Sequence, residues 1–358
     1  MIRFDVPLLP DDRYVSFLAE RAERLHSLHF RLAGDERLDG RHGGEGGDEQ
    51  RLLASLRRVE GPRKYALLNS RFLHPDRYFD QGFLAGLAGQ LVRLLDANQL
   101  TGVVFADFYL LRALADHAPD LCGRLEAVPG INCLVDSLEG IVAWRGYIGG
   151  AGFRPPEKIV LDRHLNRAPE RLAALAARCR ELFPSLSLTL IANEGCLDRC
   201  PFKLPHDAHI ALANSGLAPE RCGGMNDALG CRRSLSAQPE QLFRSPFIRP
   251  EDVARYQGLA AVIKICGRTL GPGFLETTVA AYLAGRFAGN LLALTDAMSW
   301  LADHLVVENQ RLPGDFFDRL TSCAKECGRC RYCHTLFADC GSPAPIRLKD
   351  WRRQGTLL

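Results

Sequence analysis

Leu186–Cys200, LSLTLIANEGCLDRC, joins an apolar run to a glycine and two cysteines. The first seven residues, LSLTLIA, read as a buried strand, because a short apolar run bounded by polar and turn residues fits one. The polar residues that follow at once, Asn193 and Glu194, then stand at the end of that strand, which in a barrel is where chemistry is done. Gly195 permits a sharp exit turn and Pro201 ends local regularity, so Cys196 and Cys200 can face one centre.

Working outward, six further strand-like runs recur: Leu28–Leu32, Lys64–Asn69, Gly102–Ala106, Arg124–Val128, Lys158–Leu161 and Ala261–Ile265. Amphipathic stretches with apolar residues at three and four spacing separate them, for instance Phe83–Asn98, Pro169–Leu182 and Thr277–Ala284. This alternation predicts an α/β fold, a TIM-like (β/α) barrel. An eighth strand is not evident, which leaves an incomplete barrel or a doubly wound sheet compatible with the same pattern. Residues 1–315 form the expected barrel domain, with a cysteine-bearing insert near 193–235. Residues 316–358 form a cysteine-rich tail, since the periodic pattern stops there. Gly34–Asp48, rich in glycine and charge, predicts a mobile loop after the first strand, either at the face where substrates bind or as a tolerated surface insertion.

At 358 residues with 47% hydrophobic and 24% charged side chains, the chain can bury a large core and is not a disordered sequence. No stretch approaches the roughly 18 apolar residues of a membrane span, and charges fall within the first five residues, so the N-terminus reads as untargeted and the expected location is cytoplasmic. A net charge of +3 from intermixed acids and bases argues only weakly for nucleic acid.

Thirteen cysteines are the departure from ordinary composition. Without a secretory signal, thiolate ligation of a metal or cluster explains them better than a disulfide framework. Cys323, Cys327, Cys330 and Cys333 fall within eleven residues, CAKECGRCRYC, with His334 next and Cys340 beyond. Short spacings let successive backbone turns present sulfur to one cubane, which favours a 4Fe-4S cluster over zinc. The first three share their spacing with the radical S-adenosylmethionine motif, yet only 28 residues follow Cys330, too few to build a substrate-holding barrel. A second set, Cys196, Cys200, Cys222 and Cys231, the last two in a glycine-rich loop, suggests another four-cysteine site for a cluster or zinc. Cys122, Cys133 and Cys179 are scattered in apolar contexts and read as structural; Cys266 and Cys340 have no assigned role.

Other chemistry-bearing residues admit two readings each. His206 and His209, three apart, share a face if helical and then are ligands or acid–base groups, or else ordinary helix-surface histidines. Asn193 is a candidate substrate-binding amide and Glu194 a candidate general acid or base, or they are a polar strand-end pair. Lys264 and Arg268, in KICGR, bind an anionic substrate or cofactor group, or form solvated salt bridges.

The succession VLDRHL, LSLTLIANEGCLDRC, FIRPEDVARYQGLAAVIKICGR and AYLAGRFAGN resembles the peptidase U32 family across most of residues 64–295. The resemblance implies a TIM-like barrel, a collagenase-like peptidase label, and kinship with members that hydroxylate ubiquinone precursors or RNA bases without oxygen, several of them iron–sulfur proteins with four cysteines at one cluster. By position, Cys196, Cys200, Cys222 and Cys231 match the cysteine-bearing region, and Lys264, Gly267 and Arg268 match the later strand. Glu194-Gly195 stands where the family has His-Gly, the cysteine intervals differ, and the CAKECGRCRYC tail is absent from the simplest members.

The leading expectation is therefore an iron–sulfur redox enzyme or enzyme subunit with one or two clusters. It acts on a small aromatic or nucleobase, free or within RNA, and is served by an electron donor or redox partner, with a partner subunit possible. A peptidase or other hydrolase is the alternative, but there is neither His-Glu-x2-His nor Gly-x-Ser-x-Gly. A zinc-stabilised nucleic-acid-binding scaffold is the third, resting on Arg347, Lys349, Arg352 and Arg353 around Trp351.

Overall fold

The computed structural model describes residues 1–34, 37–41, 47–217 and 222–345, with backbone alone at Cys222 and Gly223. Eight strands build one parallel sheet: β1 (Arg3–Pro7), β2 (Leu25–Phe30), β3 (Arg63–Leu68), β4 (Gly102–Phe105), β5 (Glu126–Pro129), β6 (Lys158–Val160), β7 (Ser187–Ile191) and β8 (Val262–Lys264). Their order is β5-β4-β3-β2-β1-β8-β7-β6, so the last strand returns to the first. Round this sheet each strand lies beside its neighbour in sequence without a reversal, whereas a doubly wound sheet reverses its order at an internal switch point, so the barrel is the observed alternative. Closure between β5 and β6 is by single bridges, Glu126 with Arg154 and Val135 with Leu161. Between them the Glu126 carboxylate accepts the Glu157 amide at 3.3 Å, filling the seam.

All seven predicted runs contain strands; the strand missing from the pattern is the first. RFDVP is short, carries a charge at its centre and ends in proline, so it lacks the apolar signature. The helices Gln81–Asp96 and Pro169–Leu182 lie where periodicity puts them. A third, Pro272–Ala284, begins five residues before the predicted Thr277, because Pro272 occupies the first helical turn, where its missing N–H costs nothing. Apolar faces such as Leu172, Leu175, Ala176 and Cys179 pack into the large core between barrel and helices, which also takes Cys122. Cys133 is half-buried and donates to the Phe105 carbonyl at 3.5 Å.

Strand alternation divides the barrel interior. One side is apolar, with Leu67, Val104, Val128 and Val160 in contact. The other is ionic. Lys158 of β6 crosses the interior to Asp5 of β1 at 3.0 Å, although the two strands are not neighbours, and also donates to Ser27 at 2.8 Å. Lys264 of β8 reaches the same Asp5 oxygen at 3.0 Å. The other Asp5 oxygen is 3.0 Å from His29 Nδ1. Burial alone would raise the Asp5 carboxyl, but Lys158, Lys264 and His29 hold it well below the usual carboxylate range.

A second, smaller core lies beside the barrel and gathers Leu235, Leu242, Phe243 and Phe247 with Leu291, Phe316, Leu320, Leu336 and Cys340. It draws on both sides of the expected boundary at residue 315: the helices Phe316–Thr321 and Tyr332–Cys340 and the antiparallel pair β9 (Leu305–Val307) and β10 (Gly341–Pro343) all belong to it or flank it. Among the described residues no helix is long and apolar enough to cross a membrane. The basic tail residues Arg347, Lys349, Trp351, Arg352 and Arg353, and much of the Gly34–Asp48 segment, lie outside the described residues.

Burial pushes the His29 imidazole down to about 3 and that of His26 to about 4. Both are neutral in the folded chain, whereas unfolded histidine takes a proton near 6.5. The unfolded state thus binds more protons below that pH, and stability falls as pH drops from 6.5 toward 3, each unit being worth about 1.4 kcal/mol per group. Asp5 adds its own loss only below about 3.9, where unfolded aspartate protonates. The urea midpoint should fall between pH 7 and pH 4.5, and His29→Gln should flatten that fall. An unchanged wild-type midpoint over this interval contradicts the assignment of neutral histidines.

Candidate active site at the barrel mouth

The strand ends deliver polar side chains to one face. After β7 the chain runs through Asn193 and Glu194 and turns at Gly195, whose φ of +79° is left-handed and whose missing Cβ would crowd Thr295 and Met298 at 3.2–3.3 Å. After β8 it turns at Gly267, φ +117°, where a Cβ would lie 2.1 Å from the Phe274 ring. The glycine of KICGR is therefore a packing requirement.

Asn193, a candidate for substrate binding, is committed to the backbone. Its Oδ1 accepts the Cys266 amide at 2.7 Å, and its Nδ2 donates to the carbonyls of Cys266 and Leu294 at 3.1 and 2.9 Å. It ties the exits of β7 and β8 to the segment before Asp296. Glu194 is buried in an ion pair with Arg163. Burial would raise its carboxyl, but Arg163, Lys203 and Arg41 hold it below the usual value, so it is a fixed anion and a poor proton carrier near neutral pH.

Around it stand further pairs: Arg41 with Asp296, Lys203 with Asp207 at 2.6 Å, and Arg268 with Asp39 at 3.1 Å. Of these residues Arg41, Glu194, Lys203, Asp207 and Arg268 line a narrow cavity of about 50 Å³ over the barrel interior, into which His29 and Lys264 also open. Lys264 and Arg268 both line this cavity. Lys264, however, is nearly sealed and bonded to Asp5 and His29, and Arg268 is paired. His206 and His209 do share one helix, Lys203–Asn214. His206 contacts Asn226 through Nε2 at 2.9 Å, and burial lowers its imidazole.

Cys196 is half-buried beside this rim; desolvation and the Glu194 charge push its thiol up to about 12. Cys200 and Cys231 are half-buried neighbours, each thiol raised first by burial, that of Cys231 also by Cys200. The expected glycine-rich loop is instead two short helices, Cys222–Ala228 and Cys231–Ala237; the Cys222 side chain lies outside the described residues.

The tail cysteines face a second cavity, of about 210 Å³, lined by Cys323, Cys327 and Cys333 together with Arg167, Arg244 and Lys325. Burial and the neighbouring Cys323 and Cys327 push the Cys333 thiol up to about 11, and Cys330 contributes in the same direction. Lys325, left-handed at φ +60°, lies between Cys323 and Cys327 and bonds Asp198 at 2.7 Å. Asp198 lies between Cys196 and Cys200. One ion pair thus joins the two cysteine turns.

No protein-family model matches the chain. Among curated proteins it is 30% identical over 229 residues to an uncharacterized protease of Methanocaldococcus jannaschii, MJ1657, a match covering 63% of this chain and 64% of that protein's length. The chain is similar to that protease over the matched span, which is less than two thirds of either length. Solved structures similar to this barrel include the U32 peptidase Mk0906, at TM-score 0.47 and 16% identity, covering 74% of this chain and 92% of that one. An exo-β-1,4-mannosidase of Opitutaceae bacterium strain TAV5 follows at TM-score 0.38 and 10% identity, covering 84% of this chain and 58% of its own.

Among the described residues, no three His, Cys, Asp or Glu side chains are gathered closely enough to hold a single metal ion. The tail thiols instead stand around a cavity, with three cations at its edge. That arrangement fits a group wider than one ion and negatively charged, as a thiolate-bound iron–sulfur cluster is. The set at the mouth contributes Cys196, Cys200 and Cys231 beside Arg163 and Lys203.

Sequence reasoning passed over Asp5, His29, Lys158, Arg41, Arg163 and Lys203. A usable signal existed for Lys158, a charge opening the otherwise apolar strand KIV; Asp5 lies in RFDVP, whose strand character the sequence hides. Asn193→Ala should lower stability by about 2–4 kcal/mol, since it strands buried backbone groups, measured by chemical denaturation. A loss under about 0.5 kcal/mol, that of an ordinary surface change, would show that Asn193 does not tie the mouth together.

Proposed function

We propose that this protein is an iron–sulfur redox enzyme of the U32 type, resembling the oxygen-independent hydroxylases, and that it acts at the barrel mouth on a small aromatic or nucleobase substrate. The observation that carries the reading is the pair of thiol sets, one at the exit of β7 and one around the tail cavity, joined by Asp198 and Lys325. Cys196, Cys200 and Cys231, with Cys222 by position, would hold one cluster; Cys323, Cys327, Cys330 and Cys333 would hold the other. Such clusters supply one-electron transfer at potentials tuned by charge, burial and hydrogen bonds to sulfur. The protein's own groups then have defined tasks. Arg163 and Lys203 offset negative charge near the mouth thiols, and Arg167, Arg244 and Lys325 do so at the tail. The narrow cavity beneath the rim excludes bulk water from the barrel interior. An external electron donor or a partner subunit is required to feed the exposed tail.

The name of the Methanocaldococcus relative favours a second reading, peptide hydrolysis. The chemistry of the mouth supports it less. Cys196 and Cys266 carry thiols pushed up to about 12 by burial first, the opposite of an activated nucleophile. Ser27 does touch His26 at 3.3 Å, but it is sealed inside the barrel, where no peptide reaches.

Anaerobically purified protein should contain about eight irons and matching sulfide per chain, as two 4Fe-4S clusters require. Cys200→Ala and Cys330→Ala should each remove roughly half. Zinc in place of iron, or peptide hydrolysis by metal-free protein, would refute the redox reading.

A further inference from the structure

The mouth cavity of about 50 Å³ is too small for an aromatic ring, since an apolar cavity that takes up benzene measures about 150 Å³. A second cavity on the same face of the barrel is large enough. It holds about 520 Å³, within the roughly 300–1,000 Å³ usual for small-molecule sites, and lies outside the ends of β1, β2 and β8. Leu8, Pro10, Leu32 and Leu52 give it apolar walls, and Arg31 and Arg268 bring positive charge.

Arg268 lines both cavities. Residues 39–41 part them, with Asp39 facing the outer cavity and Gly40 and Arg41 the inner one. This partition is tied to the exit of β3, where the Ser70 amide donates to the Leu38 carbonyl at 2.9 Å and Asn69 Oδ1 accepts the Gly40 amide at 3.0 Å.

The acids of the outer cavity are engaged by their own segments. Asp48 caps the helix Glu49–Arg58 by accepting the Gln50 amide at 3.0 Å, and Asp39 Oδ1 accepts the Arg41 amide at 3.1 Å. Asp39 therefore meets Arg268 through its other oxygen alone, to which Nε donates at 3.2 Å. Nη2 stands 3.1 Å from that same oxygen without the alignment of a hydrogen bond, and is buried with no acceptor among the described residues. A guanidinium fork is complete on two oxygens, and here the second is missing. An unmet donor of this kind is costly until something accepts from it. A carboxylate matches the fork, whereas the double charge of a phosphate would be repelled by Asp39 and Asp48.

We propose that the outer cavity binds a small aromatic carboxylic acid, its ring among Leu8, Leu32 and Leu52 and its carboxylate on Arg268. The ligand supplies the oxygen that Asp39 withholds. Because Arg268 also lines the mouth cavity, the acid is held with its anionic end at the partition between the two. The inference names the substrate class of the redox enzyme and rests on that reading for calling the acid a substrate; binding itself needs no cluster.

The test uses the full chain, purified anaerobically and assayed for iron, titrated with para-fluorobenzoate and with para-fluorobenzyl alcohol and followed by fluorine NMR. The benzoate should bind in the millimolar range or tighter, as a fragment of about ten non-hydrogen atoms allows. It should bind at least about tenfold more tightly than the alcohol, the worth of a charge-assisted hydrogen bond. Arg268→Gln should abolish that preference, and Thr269→Trp, at an exposed position on the cavity wall, should block both compounds. Absent benzoate binding, or equal affinity for acid and alcohol in the wild-type chain, overturns the proposal without any variant having to fold. Benzoate binding that survives Thr269→Trp overturns it as well. An iron-free chain that still prefers the acid upholds the carboxylate site while removing the redox reading, and a cluster-loaded chain without the preference does the reverse.

Discussion

Inside the barrel the carboxylate of Asp5 is closed off from water, where an unpaired charge would cost several kcal/mol. Its oxygens are shared instead among His29 of β2, Lys158 of β6 and Lys264 of β8. Four strands are thereby tied through one side chain, and two of the three contacts reach strands late in the sequence. Removing Asp5 would leave two buried ammonium groups facing each other, so the network stands or falls together. Such clusters specify an arrangement more than they stabilise it. Here the arrangement is the register of β1 between β2 and β8, and hence the placement of every side chain at the mouth.

That mouth is built where two cores meet. The barrel contributes the ends of β7 and β8, fixed to each other by Asn193. The second core contributes the helix Tyr332–Cys340 and the cysteine turn before it. Asp198 and Lys325 occupy corresponding places, each inside a Cys-x3-Cys turn, and their contact carries one turn onto the other. A tail packed through Phe316, Leu320, Leu336 and Cys340 is held by apolar contact rather than by the exposed ion pair, which by itself contributes little. The ion pair orients; the core attaches.

Much of this was legible in the sequence, for physical reasons. A buried parallel strand needs apolar residues on both faces, and runs such as LSLTLIA and GVVFA show that requirement without ambiguity. Helices that cover a barrel need one apolar face, which Pro169–Leu182 displays. Strand β1 was invisible because its charged centre is explained only by side chains some 20 to 260 positions away, at His29, Lys158 and Lys264. Likewise Asn193 and Glu194 were recognisable as polar residues at a strand exit. Nothing local told that one binds backbone and the other an arginine. The cysteines were the plainest signal, since their spacing is a property of the chain itself, while their distribution around a cavity depends on the fold.

The lysine pair carries the contrast furthest. Arginine in place of Lys158 or Lys264 would keep the charge but bring a planar group with five donors into a space that offers two Asp5 oxygens, Ser27 and His29. Its unmet donors would be buried, and its proton could not leave. Lysine satisfies the same carboxylate with one compact group, and burial pushes the Lys158 ammonium down to about 8. The scarcity of lysine elsewhere in the chain makes this selection visible in composition. The fold then explains it, by bringing two amines from β6 and β8 onto one oxygen of β1 directly below the mouth.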